Sequence, residues 1–295
     1  MHNDSLVQWV SRSSVAVAAI LIAGKVYAVY MTGSLSILSS LLDSAMDMVA
    51  SLGNLVAVTI AAKPADKKFR FGYGKLEAVS ALMKSLLIIG SIIFLVFEAI
   101  QRFFQEESAI LNPEIGMWVM VLSIVLTMGL TLFQQYVIRK TNSIAVKADA
   151  LHYHTDLAVN VVVIGSLYLS RYYSHVDSIA CLLISGYVVW SIRGIIGESL
   201  AVLLDKEIPS KDKQTIIAVL NNHPKVMGFH NFRTRTSGKK IFIEAHVEMD
   251  PSLTLIEAHT IAHELKDAVL ELYPESEMIV HQDPVGHDAY AEQRF

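Results

Sequence analysis

Long apolar runs, each about a bilayer thick, fill the first two thirds of the chain. Residues 115–138 carry no charged side chain, and a helix of that length covers a hydrocarbon core of roughly 30 Å. Five more apolar stretches lie at about 9–31, 35–62, 76–101, 144–171 and 177–200, interrupted by isolated charges such as Lys25, Lys84 and Glu98. The pattern predicts six transmembrane helices. From about Asp205 the chain turns polar and its periods shorten. Pro209 opens a predicted helix to about Asn221, and residues 225–236 and 240–249 read as a hairpin around Ser237-Gly238. A second helix is predicted over 254–272, and a last strand over 278–283, ending before Pro284. Within 241–249, Ile241, Ile243, Ala245, Val247 and Met249 alternate with Phe242, Glu244, His246 and Glu248, the period of two of a half-buried strand. The expected fold is an α-helical membrane protein with six transmembrane helices, followed by a small α+β domain in the order α-β-β-α-β. The expected domains are residues 1–204, residues 205–286 and a loose tail, 287–295.

Loop charges set an orientation. Lys63, Lys67, Lys68, Arg70 and Lys75 fall between the second and third spans, and Arg139, Lys140 and Lys147 between or just after the fourth and fifth. Residues 32–36 contain no basic side chain, and the loop after Phe103 carries Glu106, Glu107 and Glu114. The positive-inside rule then puts both termini, and the α+β domain, in the cytoplasm. No basic segment followed by a small-residue cleavage site opens the chain, so no removed signal peptide is expected. Hydrophobic residues at 53% and charged residues at 18% agree with a lipid-embedded protein. The single cysteine, Cys181, has no partner for an internal disulfide and reads as a small buried apolar residue.

Against that apolar background, two pairs of ligand-type residues stand out. Asp43/Asp47 and His152/Asp156 are each spaced i, i+4, which places both members of a pair on one helix face. Ionisable residues inside spans are costly and mark ion or proton pathways. Two aspartates on one face repel each other, so a cation or protons must neutralise them. Three carboxylates and one imidazole suffice for a four-coordinate Zn²⁺-like ion. The nitrogen ligand favours Zn²⁺ or a similar transition metal over Ca²⁺ and Mg²⁺, and the lack of sulfur ligands argues against Cu(I). Zn²⁺, Fe²⁺, Cd²⁺ and Mn²⁺ stay open on ligand type alone. Because the site must hold either metal or protons, exchange of metal for H⁺ is the expected mechanism. Asp149, three residues before His152, is near the same face and is a candidate for an access path or for supporting the ligands. His154 points elsewhere.

The polar domain holds a second group. His246 lies on the polar face of its strand, His281 and Asp283 share a face of the last one, His230 lies on the first strand and His259 on the second helix. Four histidines and an aspartate are enough for one or two zinc sites.

These features resemble the cation diffusion facilitator family, in particular the bacterial ferrous-iron/zinc efflux pump type (the FieF or YiiP group). The likeness covers nearly the whole chain. It rests on Leu42-Asp43-Ser44 through Asp47, Pro64-Ala65-Asp66, Phe71-Gly72-Tyr73-Gly74-Lys75, Ala148-Asp149-Ala150-Leu151-His152-Tyr153 through Asp156, and His281-Gln282-Asp283-Pro284. The resemblance implies a homodimeric divalent metal/proton antiporter with alternating access, exporting Zn²⁺, with Fe²⁺ and Cd²⁺ as further candidates, across the bacterial inner membrane. It implies that Asp43, Asp47, His152 and Asp156 form the transport site. It also implies that His230, His246, His259, His281 and Asp283 form a binuclear zinc cluster at a cytoplasmic dimer interface, in a metallochaperone-like domain. Lys75 and Asp205 match a charge interlock between the membrane and soluble parts. One position departs from the family: Asp66 remains from a further loop zinc site, but Phe69 and Tyr73 stand where histidines are expected, so that site is expected to be lost or weak.

Other classes fit less well. No H-E-x-x-H motif is present, since His263-Glu264 is followed by Asp267, and no G-x-x-x-x-G-K-[ST] phosphate loop exists, which disfavours an intramembrane metalloprotease and ATP-driven transport. The expectation is no enzyme, no organic cofactor and no nucleic-acid partner. The alternative is a membrane-anchored divalent-metal sensor that binds without transport.

Overall fold

The computed structural model of the chain describes residues 2–32, 35–104, 113–169 and 176–286, with side chains at 4–31, 41, 44–97, 99–101, 121–161 and 179–286. Six long helices come first: α1 His2–Thr32, α2 Leu35–Ala61, α3 Lys75–Phe104, α4 Pro113–Thr141, α5 Ile144–Leu169 and α6 Val176–Leu203. They are followed by α7 Ser210–Asn222, β1 Gly228–Ser237, β2 Lys240–Met249, α8 Leu255–Leu272 and β3 Ser276–Pro284. The order after α6 is that expected, α-β-β-α-β. The expected tail and the acidic residues Glu106 and Glu107 lie outside the described residues.

The chain divides into two compact units. One comprises residues 1–64 and 76–200; the other joins residues 65–75 to the chain from Ala201 onward. The segment between α2 and α3 therefore belongs with the C-terminal unit.

In the helical unit α1, α2, α4 and α5 pack together. Val7 and Val10 of α1, Val58 of α2, Val137 of α4 and Ala145 and Val146 of α5 form one buried cluster. Helices α3 and α6 meet through Ile88 and Ile92 against Val188 and Ile192. Small residues at the contacts, including Ala18, Ala28, Ser11 and Ala148, let the backbones approach closely. Buried hydroxyls donate back along their own helices, as Ser11 does to the Val7 carbonyl at 2.9 Å and Ser185 to the Cys181 carbonyl at 2.8 Å. Cys181 itself is buried. Large apolar side chains such as Tyr30, Val49, Ile93, Phe94, Leu132, Leu183 and Trp190 face outward, the pattern of a lipid-facing surface.

Among the described residues, five of the six long helices contain a stretch long and apolar enough to cross a membrane: Asp4–Met31, Ser44–Ala61, Lys75–Gln101, Val121–Thr141 and Ile179–Leu203. Helix α5 falls short because Lys147, Asp149 and Asp156 interrupt it, with His152 and His154 between them. This charge-interrupted helix carries half of the candidate membrane site.

In the second unit a three-stranded sheet has the order β1-β2-β3, with β1 antiparallel and β3 parallel to the central β2. Ile243, Ala245, Val247 and Met249 of β2 pack with Ile216 and Leu220 of α7 and Ile261, Leu265 and Val269 of α8. The alternation along β2 thus buries the expected face. Phe242 departs from it: on the opposite, polar face it is also buried, because Phe71 lies edge-on to it at 5.3 Å and the Arg235 guanidinium lies over it at 5.1 Å. Helix α8 starts at a capping box in which Thr254 Oγ1 accepts from the Glu257 amide and Glu257 Oε2 accepts from the Thr254 amide. The turn between β1 and β2 uses Gly238 at φ +63°, in the left-handed region.

Candidate metal centres

In the helical unit, α2 and α5 bring three of the four expected ligands together. Ligand atoms of Asp47, His152 and Asp156 all lie within 4.8 Å of one another. His152 Nε2 is 2.8 Å from Asp47 Oδ1 and 3.6 Å from Asp156 Oδ2. A single ring nitrogen therefore faces two carboxylates from two helices, with His152 only 12% exposed. Two anions beside one imidazole is an arrangement that favours a cation. Asp43 lies one turn earlier on α2, and its side chain is outside the described residues. His154 does not join: its Nε2 is 3.1 Å from Gln135 Nε2 on α4.

Asp149, one turn before His152, does not reach the ligands either. Its carboxylate pairs with the ammonium of Lys84 on α3, both deeply buried. Nearer the start of α5, Lys147 bonds both oxygens of Glu198 on α6 at 2.8 and 2.9 Å, and Ser143 donates to Glu77 of α3. The chain offered Lys84 only as an isolated charge in an apolar run; its partnership needs the packing of α3 on α5.

The second centre is built by strand register. His230, His246 and His281 are directly paired positions on the three neighbouring strands, and Glu248 and Asp283 are paired one step along on the same face. Side chains two apart on a strand share a face, so register alone gathers the imidazoles. Ring centroids of His230 and His246 are 5.1 Å apart, and those of His246 and His281 4.4 Å. Asp283 is the hub: its Oδ2 is 2.9 Å from His246 Nδ1 and 3.5 Å from His230 Nε2, and its Oδ1 is 3.1 Å from His281 Nε2. His230, His246 and Asp283 have ligand atoms within 4.8 Å of one another. Imidazole nitrogens around one carboxylate are a borderline-soft donor set that fits zinc and similar ions.

A residue outside the expected set completes this group. Glu248 Oε1 lies 3.2 Å from His230 Nδ1, on the side away from Asp283. A histidine ligand usually has its other nitrogen held by such a carboxylate. Gly228 makes room for it, since a β-carbon there would sit 2.7 Å from Glu248 Oε2. Position i+2 from His246 on the polar face was the signal that could have found it. His259 is not in the cluster; on α8 its ring lies 4.5 Å from that of His263, one turn on.

Lys75 and Asp205 do form a pair, at 2.9 Å, with Arg235 Nη1 3.7 Å from the same oxygen. Both members belong to the second unit, where residues 65–75 dock on the β1–β2 turn. At Asp66, Oδ1 accepts from the amides of Lys68 and Phe69 at 2.8 and 2.7 Å, and Oδ2 from the Tyr73 hydroxyl at 2.6 Å. The Tyr73 hydroxyl first, and then these amides, hold the Asp66 carboxyl below its usual range, and the same bond pushes the Tyr73 phenol up.

Comparison with known proteins bears on both units. The cation efflux transmembrane domain family matches residues 11–204, and the cytoplasmic domain of cation efflux proteins matches residues 208–285. The chain belongs to the cation efflux family. This family is that of the cation diffusion facilitators, multi-pass membrane transporters with a small cytoplasmic α/β domain, and the chain is a cation efflux pump by membership. Cation-efflux pump FieF of Pectobacterium carotovorum is 40% identical over 286 residues, 97% of this chain and 95% of that protein. Protein p34 of Rickettsia rickettsii is 40% identical over 292 residues, 99% and 97% of the two chains. A solved metal-bound C-terminal domain of the CzcD transporter from Thermotoga maritima is 29% identical, with a TM-score of 0.25, over 26% of this chain and 91% of that one.

Proposed function

We propose that the chain is a divalent metal/proton antiporter that exports Zn²⁺ from the cytoplasm by alternating access, with Fe²⁺ and Cd²⁺ as further substrates. The observation that carries this reading is the convergence of Asp47 and Asp156 on one nitrogen of His152 between apolar helices. Asp43 is the fourth ligand of this transport site. Carboxylates held in hydrocarbon call for neutralisation in every state, by the metal or by protons, and that requirement couples the two flows. The proton is carried on the ligands themselves, so metal release on the far side accompanies their protonation.

The transport domain is residues 1–204, the cytoplasmic domain 205–286 and the tail 287–295. Basic loop residues support an orientation with both termini in the cytoplasm, in the inner membrane of a bacterium. His230, His246, His259, His281 and Asp283 form a binuclear zinc cluster in the cytoplasmic domain, at a homodimer interface. When bound, zinc supplies a cross-link there. His230 is oriented by Glu248, and Asp283 orders the three imidazoles. The loop around Asp66 holds no metal, its oxygens being occupied by Tyr73 and backbone amides.

The test is uptake of Zn²⁺, Cd²⁺ and Fe²⁺ into proteoliposomes under an imposed pH gradient, comparing the wild type with Asp47→Ala. The expected result is metal flux that follows the gradient and is lost in Asp47→Ala. Flux indifferent to the gradient would overturn antiport, and binding without any flux would make the protein a sensor.

A further inference from the structure

Lys84 and Asp149 form an ion pair at the centre of the helical unit, 4% and 2% exposed. Neither is a ligand. The Asp149 carboxylate gathers more than Lys84: its Oδ2 accepts from Ser14 Oγ of α1 at 2.6 Å and from Gln134 Nε2 of α4 at 2.7 Å. One carboxylate on α5 thus bonds α1, α3 and α4. The Lys84 ammonium also lies 5.5 Å from the centre of the Tyr153 ring. The Tyr153 hydroxyl is 3.2 Å from Ser51 Oγ of α2 and donates to the Ser14 carbonyl at 3.3 Å, which ties in the helix that carries Asp47.

Such an arrangement is a poor way to gain stability, since replacing a buried ion pair by uncharged groups is often neutral or stabilising. Among the described residues, Gln134 Oε1 is buried without a hydrogen-bond partner while its amide nitrogen serves Asp149. Directional bonds do supply orientation. Asp149 precedes His152 by three residues and Tyr153 by four, so the network grips α5 one turn from its ligands.

We propose that Lys84 and Asp149 are positioning residues for the metal site: their pair sets the rotation and axial register of α5 so that His152 and Asp156 meet Asp47. This rests on the transport-site reading above. Its consequence is specific. Loosening α5 spreads the ligands before the metal arrives, so metal capture suffers and the later steps change less.

The experiment uses the full chain in proteoliposomes with Zn²⁺. In Lys84→Met/Asp149→Asn both charges are removed together, so neither is stranded in the interior. We expect an unchanged unfolding midpoint, a KM for Zn²⁺ raised tenfold or more, and a maximal rate within about threefold of wild type. A well-folded double variant whose KM stays within twofold of wild type overturns the proposal. If that variant does not fold, Lys84→Met/Asp149→Ser, which likewise removes both charges and the bond between them, is read in the same way. Failure of both to fold would make the pair a folding element and also overturn it. Asp47→Ala is run alongside: if it transports like wild type, the transport-site reading is what fails.

Discussion

Removing Glu248 should weaken the proposed metal centre of the α/β domain without touching a proposed ligand. Glu248 Oε1 is 3.2 Å from His230 Nδ1, and this leaves His230 Nε2 facing Asp283 at 3.5 Å. In Glu248→Ala the imidazole loses the partner that selects its tautomer and ring angle, while the 2.9 Å contact of His246 with Asp283 persists. Carboxylates behind a metal-bound histidine are worth roughly 10–100-fold in metal affinity. The expected loss is therefore about 1.4–2.8 kcal/mol, at about 1.4 kcal/mol per tenfold. Gly228→Ala perturbs the same contact from the other side. Its β-carbon would lie 2.7 Å from Glu248 Oε2 and 3.3 Å from Cδ, the free end of a flexible side chain, so Glu248 moves and the strand does not. Its effect should be in the same direction and smaller, about tenfold at most. The assay is calorimetric titration of Zn²⁺ into the detergent-solubilised full chain, in an Asp47→Ala background that removes a ligand of the proposed membrane site. Glu248→Ala with affinity within twofold of its parent would refute the role assigned to Glu248.

Three further predictions concern residues 65–75. A β-carbon on Gly74 would fall 2.3 Å from the Ser237 carbonyl oxygen and 2.7 Å from the Gly238 nitrogen, both backbone, so Gly74→Ala must lift this segment off the β1–β2 turn. Overpacking of this kind costs about 1–3 kcal/mol. Tryptic cleavage at Lys67, Lys68 and Arg70, which follows the open population, should rise about fivefold or more. Gly53→Ala, with nothing within 4 Å, should leave cleavage unchanged, and a wild-type rate in Gly74→Ala would show that the segment is not docked. The second prediction is a pH window. Asp66 is held low by Tyr73 and the Phe69 and Lys68 amides, so its contribution is present above the ordinary aspartate range and lost as pH falls through the depressed value. Tyr73 is raised, so its contribution is complete below about 10 and lost as pH climbs through the raised value. Protection from trypsin should hold between those limits. Carboxyl NMR should show Asp66 of Tyr73→Phe titrating higher than in wild type; an unmoved titration would remove Tyr73 as the cause. Bound zinc per protomer should be the same in Asp66→Ala.

Local rules account for much of what is seen. Apolar runs longer than a bilayer require helices, because backbone groups in hydrocarbon must bond within their own segment. Period two along 241–249 and Gly238 placed β2 and its turn, and i, i+4 spacing put His152 and Asp156 on one face. These are properties of short stretches, legible wherever a period or a turn residue expresses them. The six-helix pattern and the α-β-β-α-β order were therefore readable directly.

What tertiary structure decided depends on contacts between distant stretches. Alignment of His230, His246 and His281 follows from strand register, with an irregularity between His230 and Arg233 that no local pattern announces. Phe242 is buried on the polar face because residues 65–75, far earlier in the chain, return to cover it. Glu248 and Gly228 matter only once β1 and β2 are paired. Lys84 read as an isolated charge in an apolar run and Asp149 as a candidate support for the ligands; helix packing joined the two. By itself the sequence determined which residues can bind a metal, since ligand chemistry belongs to the side chain. Which of them come within reach of one another, and what holds them in place, was decided by packing, because distances between separate elements are set by the whole fold.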